Sequence, residues 1–231
     1  MKLVLTCEHA FPDIPEKYQY LFMQEAEILE THEAYDTGAF DLFNHLKVLA
    51  DYSKYQKIGR LLIETNRSEH HQKLFSRYSE HLPEQDRNML LQSFYRPYRD
   101  EIIKKIEAFI QNGNSVLHIS VHTFTPILND IERNCDIGFL YDPKRKAEKK
   151  FCRKWKRSIL TENQDLKIRY NYPYLGTADG FTTTLRKIFL KNYLGIEIEV
   201  NQKLVSRNEL DAHIRSLVVE SLKKIIETDY A

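Results

Sequence analysis

His9, Asp36, His122 and Glu199 are the side chains around which chemistry could be organised in this sequence. Two imidazoles and a carboxylate with a fourth position left open make the usual catalytic zinc set, and a further carboxylate that stays off the metal can act as the base. The four are scattered along most of the chain, so spacing alone does not join them. Each also has a plainer reading. A histidine at a strand end is commonly satisfied by backbone, and Asp36, followed by Thr37 and Gly38, suits the entry of a helix as an N-cap. Asn66 and Arg67 follow an apolar run; a planar guanidinium there is shaped for bidentate recognition of a carboxylate, although a lone arginine more often makes a surface ion pair. Glu197 and Glu199 share one face of the run LGIEIEV, where two carboxylates are costly to bury unless paired or metal-linked. His70, His71 and His81 sit in a charged stretch that reads as an exposed insertion, and no role is assigned to them.

The elements that must position these residues follow from periodicity. The runs from Leu3 to Thr6, Arg60 to Thr65, Val116 to Val121, Ile137 to Tyr141, Leu166 to Arg169 and Leu194 to Val200 read as strands, being short, apolar and rich in Val and Ile. The first ends on Glu8 and His9, and the third on His122 ahead of Thr125-Pro126, where proline makes a loop the expected continuation. Helical spacing is predicted over Leu21 to Leu29, over a segment after Gly38 carrying Phe40, Phe43, Leu46 and Leu49, and over a long stretch from Pro83 to Asn112 that Pro97 should interrupt. Phe151, Trp155 and Ile159 recur every four residues in a strongly basic segment, as on the buried face of an amphipathic helix with a solvated cationic side. A loop, NYPYLGTADGF, leads into a helix near Thr183, and a last helix runs from about Glu209 to Glu227. Strands alternating with helices predict an α/β fold, a mixed and largely parallel sheet flanked by helices on both faces in three layers. Ligands in such folds bind in the crevice at the carboxyl ends of the strands, where the polar residues recur.

Composition narrows the class. The chain has 231 residues, 42% of them hydrophobic, enough to build a core without disulfides, and nothing marks a seam, so residues 1–231 are read as one domain. With 34 basic and 33 acidic side chains the net charge is +1, which argues against nucleic acid or a membrane surface as the default partner. Cys7, Cys135 and Cys152 are widely spaced with no CxxC pair, as in reduced cytosolic proteins. The opening MKLVLTCEHA is too short in apolar residues for a signal sequence. The expectation is a soluble cytoplasmic protein, a monomer or small homo-oligomer.

Several motifs then become recognisable in order: CEHA, H-x-x-x-D-x-G-A from His32 to Ala39, the Asn66-Arg67 pair, HTFTP from His122, an R-x-x-D-I-G-F-L-x-D run from Arg133, NYPY and DG in the loop, and IEVNQ ending at Gln202. As a set this resembles the N-formylglutamate amidohydrolase family, which is similar to a branch of the zinc carboxypeptidase-type fold. The resemblance implies Zn2+ held by His9, Asp36 and His122, with Glu8 as the competing carboxylate. It implies Glu199 as general base, Asn66 and Arg67 as the grip on a substrate carboxylate, and Arg133 as a further anion or oxyanion contact. The implied substrate is a small N-acyl amino acid such as N-formylglutamate; a different deacylase or glutamyl-peptide hydrolase would use the same residues, and a non-catalytic binding protein would bind no stoichiometric zinc. The chain departs from the family in having Glu64 where Asp is usual, Thr123 where Ser is usual and no Gly or Ser after Ala10. Together with the insertion from Ser68 to Gln85 and the loop after Asn171, these bear on the substrate more than on the chemistry.

Overall fold

The computed structural model describes residues 1–229. The apolar run at the start becomes β1 (Lys2–Cys7), and β2 (Tyr52–Tyr55) lies parallel beside it. On its other side comes β3 (Val116–Phe124), parallel and buried along its whole length. A small hairpin, β4 (Ile127–Leu128) and β5 (Ile131–Glu132), stands off the sheet. Next in the chain are β6 (Ile137–Leu140), β7 (Ile168–Tyr170) and the long β8 (Tyr193–Asn201), and a second small hairpin pairs β9 (Val205–Ser206) with β10 (Glu209–Leu210). The six-stranded sheet runs β2-β1-β3-β8-β6-β7. The four strands β2, β1, β3 and β8 are parallel, while β6 turns antiparallel to β8 and carries β7 with it, the mixed, largely parallel sheet predicted.

Strand alternation separates two chemistries. On one face Leu3, Leu5, Leu117, Ile119, Val121, Ile196, Ile198 and Val200 pack against α1 (Ala39–Leu46), α4 (Lys146–Glu162) and α6 (Ala212–Asp229) in the main core. The intervening residues, including His118, Ser120, His122, Glu197 and Glu199, fall on the opposite face by the period of two. At its amino-terminal end that face holds Val4, Val116 and Tyr193 under α3 (Arg96–Gln111) and α5 (Phe181–Ile188). His118 is satisfied there by the Thr6 and Tyr193 hydroxyls, each 2.8 Å away, and burial lowers its pKa to about 4, so it is a neutral core residue. The remaining polar side chains lie further along, toward the carboxyl ends of the parallel strands.

Four local expectations need correction. Arg60–Thr65 is not a strand: the chain there forms turns, with Leu62 donating to the Gly59 carbonyl at 2.9 Å. Leu61, Leu62 and Ile63 are nonetheless buried, in satellite clusters that cover the insertion, so the apolar run reported burial and not ladder pairing. The Leu21–Leu29 helix is replaced by two 3-10 segments, Glu16–Phe22 and Ala26–Glu30. In the long helix, α2 (Glu84–Leu90) passes into a π-helical segment, Leu91–Tyr95, before α3. Pro97 lacks an N–H and its ring crowds the preceding turn, and a widened turn is one way to accommodate it. His122 does not end its strand, since pairing with β8 continues two residues further to Phe124 and Asn201.

Candidate metal centre and active site

Three separate segments deliver the cluster. His9 follows β1 directly, His122 lies on β3, and Asp36 precedes α1, whose entry is made by Gly38 in the left-handed region at φ +82°. Gly38 is needed twice over, because a Cβ there would also meet the Val205 side chain at 2.6 Å. The Asp36 carboxylate does not cap the helix. Its Oδ2 lies 2.8 Å from His122 Nδ1 and 3.3 Å from His9 Nδ1, and the two rings stand edge to face with centroids 4.9 Å apart. One ligand atom from each of His9, Asp36 and His122 can be chosen so that all lie within 4.8 Å of one another, and all three residues are buried.

Both imidazoles are anchored on the nitrogen that faces away from Asp36. His9 Nε2 is 2.6 Å from Glu64 Oε1; His122 Nε2 is 2.8 Å from Ser120 Oγ and 3.2 Å from Glu8 Oε2. The Ser120 hydroxyl itself donates to Glu8, and the Tyr98 hydroxyl donates to Glu8 Oε1 at 3.1 Å. Carboxylates set behind a histidine in this way fix its tautomer and orientation and raise its basicity as a ligand. Glu8 therefore sits behind His122, while Asp36 sits between the two rings.

The ionisation states follow from these partners. Burial by itself would raise the carboxyls of Asp36, Glu8 and Glu64, yet the neighbouring imidazoles outweigh it. Asp36 and Glu8 are held far below the usual carboxylate range, and Glu64 at about 2. Burial would lower the pKa of each imidazole, but the facing carboxylates raise that of His9 and raise that of His122 well above its ordinary value. Glu199 shifts the other way. It stands beside His122 in the β3–β8 register, is 4% exposed, and its Oε2 has no hydrogen-bond partner among the described residues. Burial first, then the Asp36 and Glu197 charges, push its carboxyl up to about 8 against the opposing pull of His122 and His9.

These groups open onto a cavity of about 380 Å³. Its floor is His9, Asp36, His122 and Glu199, and one wall is Tyr174, Leu175 and Ala178 from the loop before α5. Asn66 and Arg67 line it as well, although each already has work in the fold. The Asn66 amide accepts from the Phe181 N–H at 2.8 Å at the start of α5, and Arg67 Nη1 donates to the Asp179 carbonyl. Arg133 is not among the lining residues. Its Nη1 lies 3.2 Å from the Tyr174 hydroxyl and 3.3 Å from Thr125 Oγ1, both residues that do line the cavity. Two charged residues that sequence reasoning did not single out are part of the cluster: Glu64, read there only as a departure from a motif, and Arg60, read only as the start of an apolar run. Arg60 Nη1 is 3.1 Å from Asp36 Oδ1 and 3.2 Å from His9 Nδ1.

The donor set fits a divalent cation of the borderline type that favours imidazole and carboxylate ligands. Glu199 lines the same cavity.

A family model described as N-formylglutamate amidohydrolase matches residues 1–206. A crystal structure of a gene product from Agrobacterium tumefaciens is 25% identical, with a TM-score of 0.77, covering 97% of this chain and 91% of that one. A crystal structure of N-formylglutamate amidohydrolase from Ralstonia eutropha shares the fold at 14% identity, with a TM-score of 0.72 and coverage of 98% and 93%. No curated protein matches.

Proposed function

Because the chain belongs to the N-formylglutamate amidohydrolase family, we propose that it is a zinc-dependent amidohydrolase that removes the N-formyl, or another short N-acyl, group from an acidic amino acid such as N-formylglutamate. The observation that carries this reading is the convergence of His9, Asp36 and His122 beside a buried carboxyl with a free oxygen. Zn2+ held by those three residues would supply Lewis acidity, polarising the amide carbonyl and making water acidic near neutral pH. Glu199, which lines the cavity, accepts the proton of the attacking water and returns it to the departing amine. A carboxyl raised toward neutrality by burial is suited to carry a proton both ways. Arg67, with one arm fixed on the Asp179 carbonyl, offers its remaining N–H groups to the substrate carboxylate, and Asn66 helps to set that wall. Arg133 donates to Tyr174 and Thr125, and so braces two residues that line the cavity. Serine in place of Thr123 would remove a methyl group from a hydroxyl that donates to the Thr37 carbonyl at 2.9 Å, a contact tying β3 to the Asp36 loop.

Buried free thiols at Cys7, Cys135 and Cys152 suit a reducing cytosolic compartment. Among the described residues no helix is long and apolar enough to cross a membrane.

Formate release from N-formylglutamate, set beside release from a panel of other N-acyl amino acids and glutamyl peptides, tests the substrate. Elemental analysis of wild type and His122→Ala tests the centre. Near-stoichiometric zinc that His122→Ala loses is expected. Full occupancy in that variant, or turnover undiminished in Glu199→Gln, would contradict the assignment.

A further inference from the structure

The β4–β5 hairpin has two residues in each strand and no core of its own. Its turn residues Asn129 and Asp130 both have positive φ, +50° and +60°, the tight two-residue turn whose twist matches that of the strands. Ile127, Leu128 and Ile131 fill three of the four paired positions, and all three are exposed. An open strand edge is ordinarily blunted with charge, so three aliphatic side chains there call for a reason. Leu128 pairs with Ile131 across the hairpin, which puts these two on one side and Ile127 with Glu132 on the other. Leu128 lines the cavity above His9, Asp36 and His122, so the Leu128–Ile131 side is the one turned to it. Tyr174 and Leu175, from the loop before α5, line the same cavity and are exposed as well. At 39% exposure for Leu128, 63% for Leu175 and 69% for Ile131, these side chains belong to the mouth and not to the polar floor. Arg133 ties the two segments together: its N–H donates to the Pro126 carbonyl at 2.7 Å, and its guanidinium lies 5.2 Å from the centroid of the Tyr174 ring.

We propose that Leu128, Ile131 and Leu175 form a subsite at the cavity mouth for an apolar chain of several carbons carried by the substrate. The inference rests on the amidohydrolase reading above and narrows its substrate class, to N-acyl amino acids longer and more apolar than N-formylglutamate. Exposed apolar side chains gathered beside a polar cavity mark a ligand surface, and here the two chemistries divide one molecule between them. The amide and the carboxylate belong to the charged floor, and the chain runs out along the hairpin. That chain can come from the acyl group or from the amino-acid side chain, because the same aliphatic strip recognises either.

Two substrate series test it on the full-length protein. One lengthens the acyl group of an N-acylglutamate from formyl through acetyl and butanoyl to hexanoyl. The other lengthens the side chain of an N-formyl amino acid from alanine through norvaline to norleucine. In wild type, kcat/KM is expected to rise by about 2- to 4-fold per added methylene in one of the series, and which one rises identifies the source of the chain. Leu128→Asn and Ile131→Asn should each flatten that rise, whereas Ile127→Asn, on the far side of the hairpin, should keep it. A level or falling kcat/KM in both series overturns the proposal, and so does a rise that all three variants lose equally, since that would reflect a disrupted hairpin. Sedimentation at several concentrations checks the other occupant: self-association that Ile131→Asn abolishes, with the length dependence intact, would give the strip to a second copy of the chain and overturn the proposal too. If no member of either series is hydrolysed, the formyl compounds included, the amidohydrolase reading itself fails; if formyl compounds turn over without any gain from length, only the subsite does.

Discussion

Glu199→Gln should make the metal-free protein more stable at neutral pH and leave its stability near pH 4.5 almost untouched by the same term. The substitution keeps the shape of the side chain and removes its titration. In the folded protein the Glu199 carboxyl is raised to about 8, against an ordinary value of 4.5, with burial as the largest cause. A raised carboxyl binds its proton more tightly in the folded than in the unfolded chain. Its contribution is therefore fully present below pH 4.5, falls as pH rises through the window, and is gone above about 8. Over the whole window this amounts to at most about 5 kcal/mol, and between pH 4.5 and 7 to about 3 kcal/mol. Glutamine does not pay this cost.

The new amide is itself a buried donor, and leaving it without a partner costs roughly 1–3 kcal/mol. That cost does not depend on pH, so it shifts the variant's curve without changing its slope. The assay is urea denaturation of chelator-treated wild type and Glu199→Gln at intervals from pH 4.5 to 8. The difference in unfolding free energy should move by about 3 kcal/mol in favour of the variant between pH 4.5 and 7. Parallel curves would refute the reasoning, because they would mean that Glu199 ionises in the fold as readily as in the unfolded chain. The same variant is expected to lose turnover, so the residue that costs stability is the one that the chemistry requires.

Two further substitutions probe the supports of the site. Glu64→Gln and Glu8→Gln should each weaken zinc binding by about 10- to 100-fold in a chelator competition, through His9 and His122 respectively; unaltered affinity in both would show that the carboxylates behind the imidazoles do not tune the ligands. Gly138→Ala would put a Cβ 2.1 Å from the Tyr172 carbonyl oxygen and 3.3 Å from Glu199 Cβ. A stability loss of about 1–3 kcal/mol or more is expected, with a raised KM as the Tyr172–Tyr174 wall is displaced; a variant with wild-type melting and kinetics would show that this close approach is dispensable.

The strands that hold the site were legible because their alternation is strict. In Val116–Val121 and in LGIEIEV every second residue is a large aliphatic, and the sheet buries those residues against α1, α4 and α6 while turning His122 and Glu199 to the other side. Asp36 was legible only through its motif, since its local context equally suits a helix entry. Arg60–Thr65 misled because burial of Leu61, Leu62 and Ile63 needs an apolar run but not a strand, and Gly59, with the Pro12 backbone pressed where a Cβ would be, closes a turn instead. β2, reading YSKY, gave no signal because each of its residues is only half-buried. Long side chains were the hardest to place. Arg133 and Arg60 each reach well beyond their backbone positions, so sequence position says little about which guanidinium enters the cavity.

Four carboxyls in one cluster, three of them buried and Glu64 partly so, behave in two ways, and the difference supports the proposed division of roles. Asp36, Glu8 and Glu64 are as buried as Glu199 or nearly so, and desolvation pushes all four upward. The first three each face an imidazole nitrogen within 3.3 Å, so their negative charge is compensated and they stay ionised, free to position ligands or to be one. Glu199 has an oxygen with no such partner, and its remaining influences include the Asp36 and Glu197 charges that disfavour ionisation. Groups whose surroundings drive their pKa values apart divide into fixed charges and proton carriers. That contrast supports the proposal of Glu199 as base and Asp36 as ligand. The reverse assignment would require Asp36, locked between two histidines and Arg60, to take up a proton that its surroundings strongly oppose.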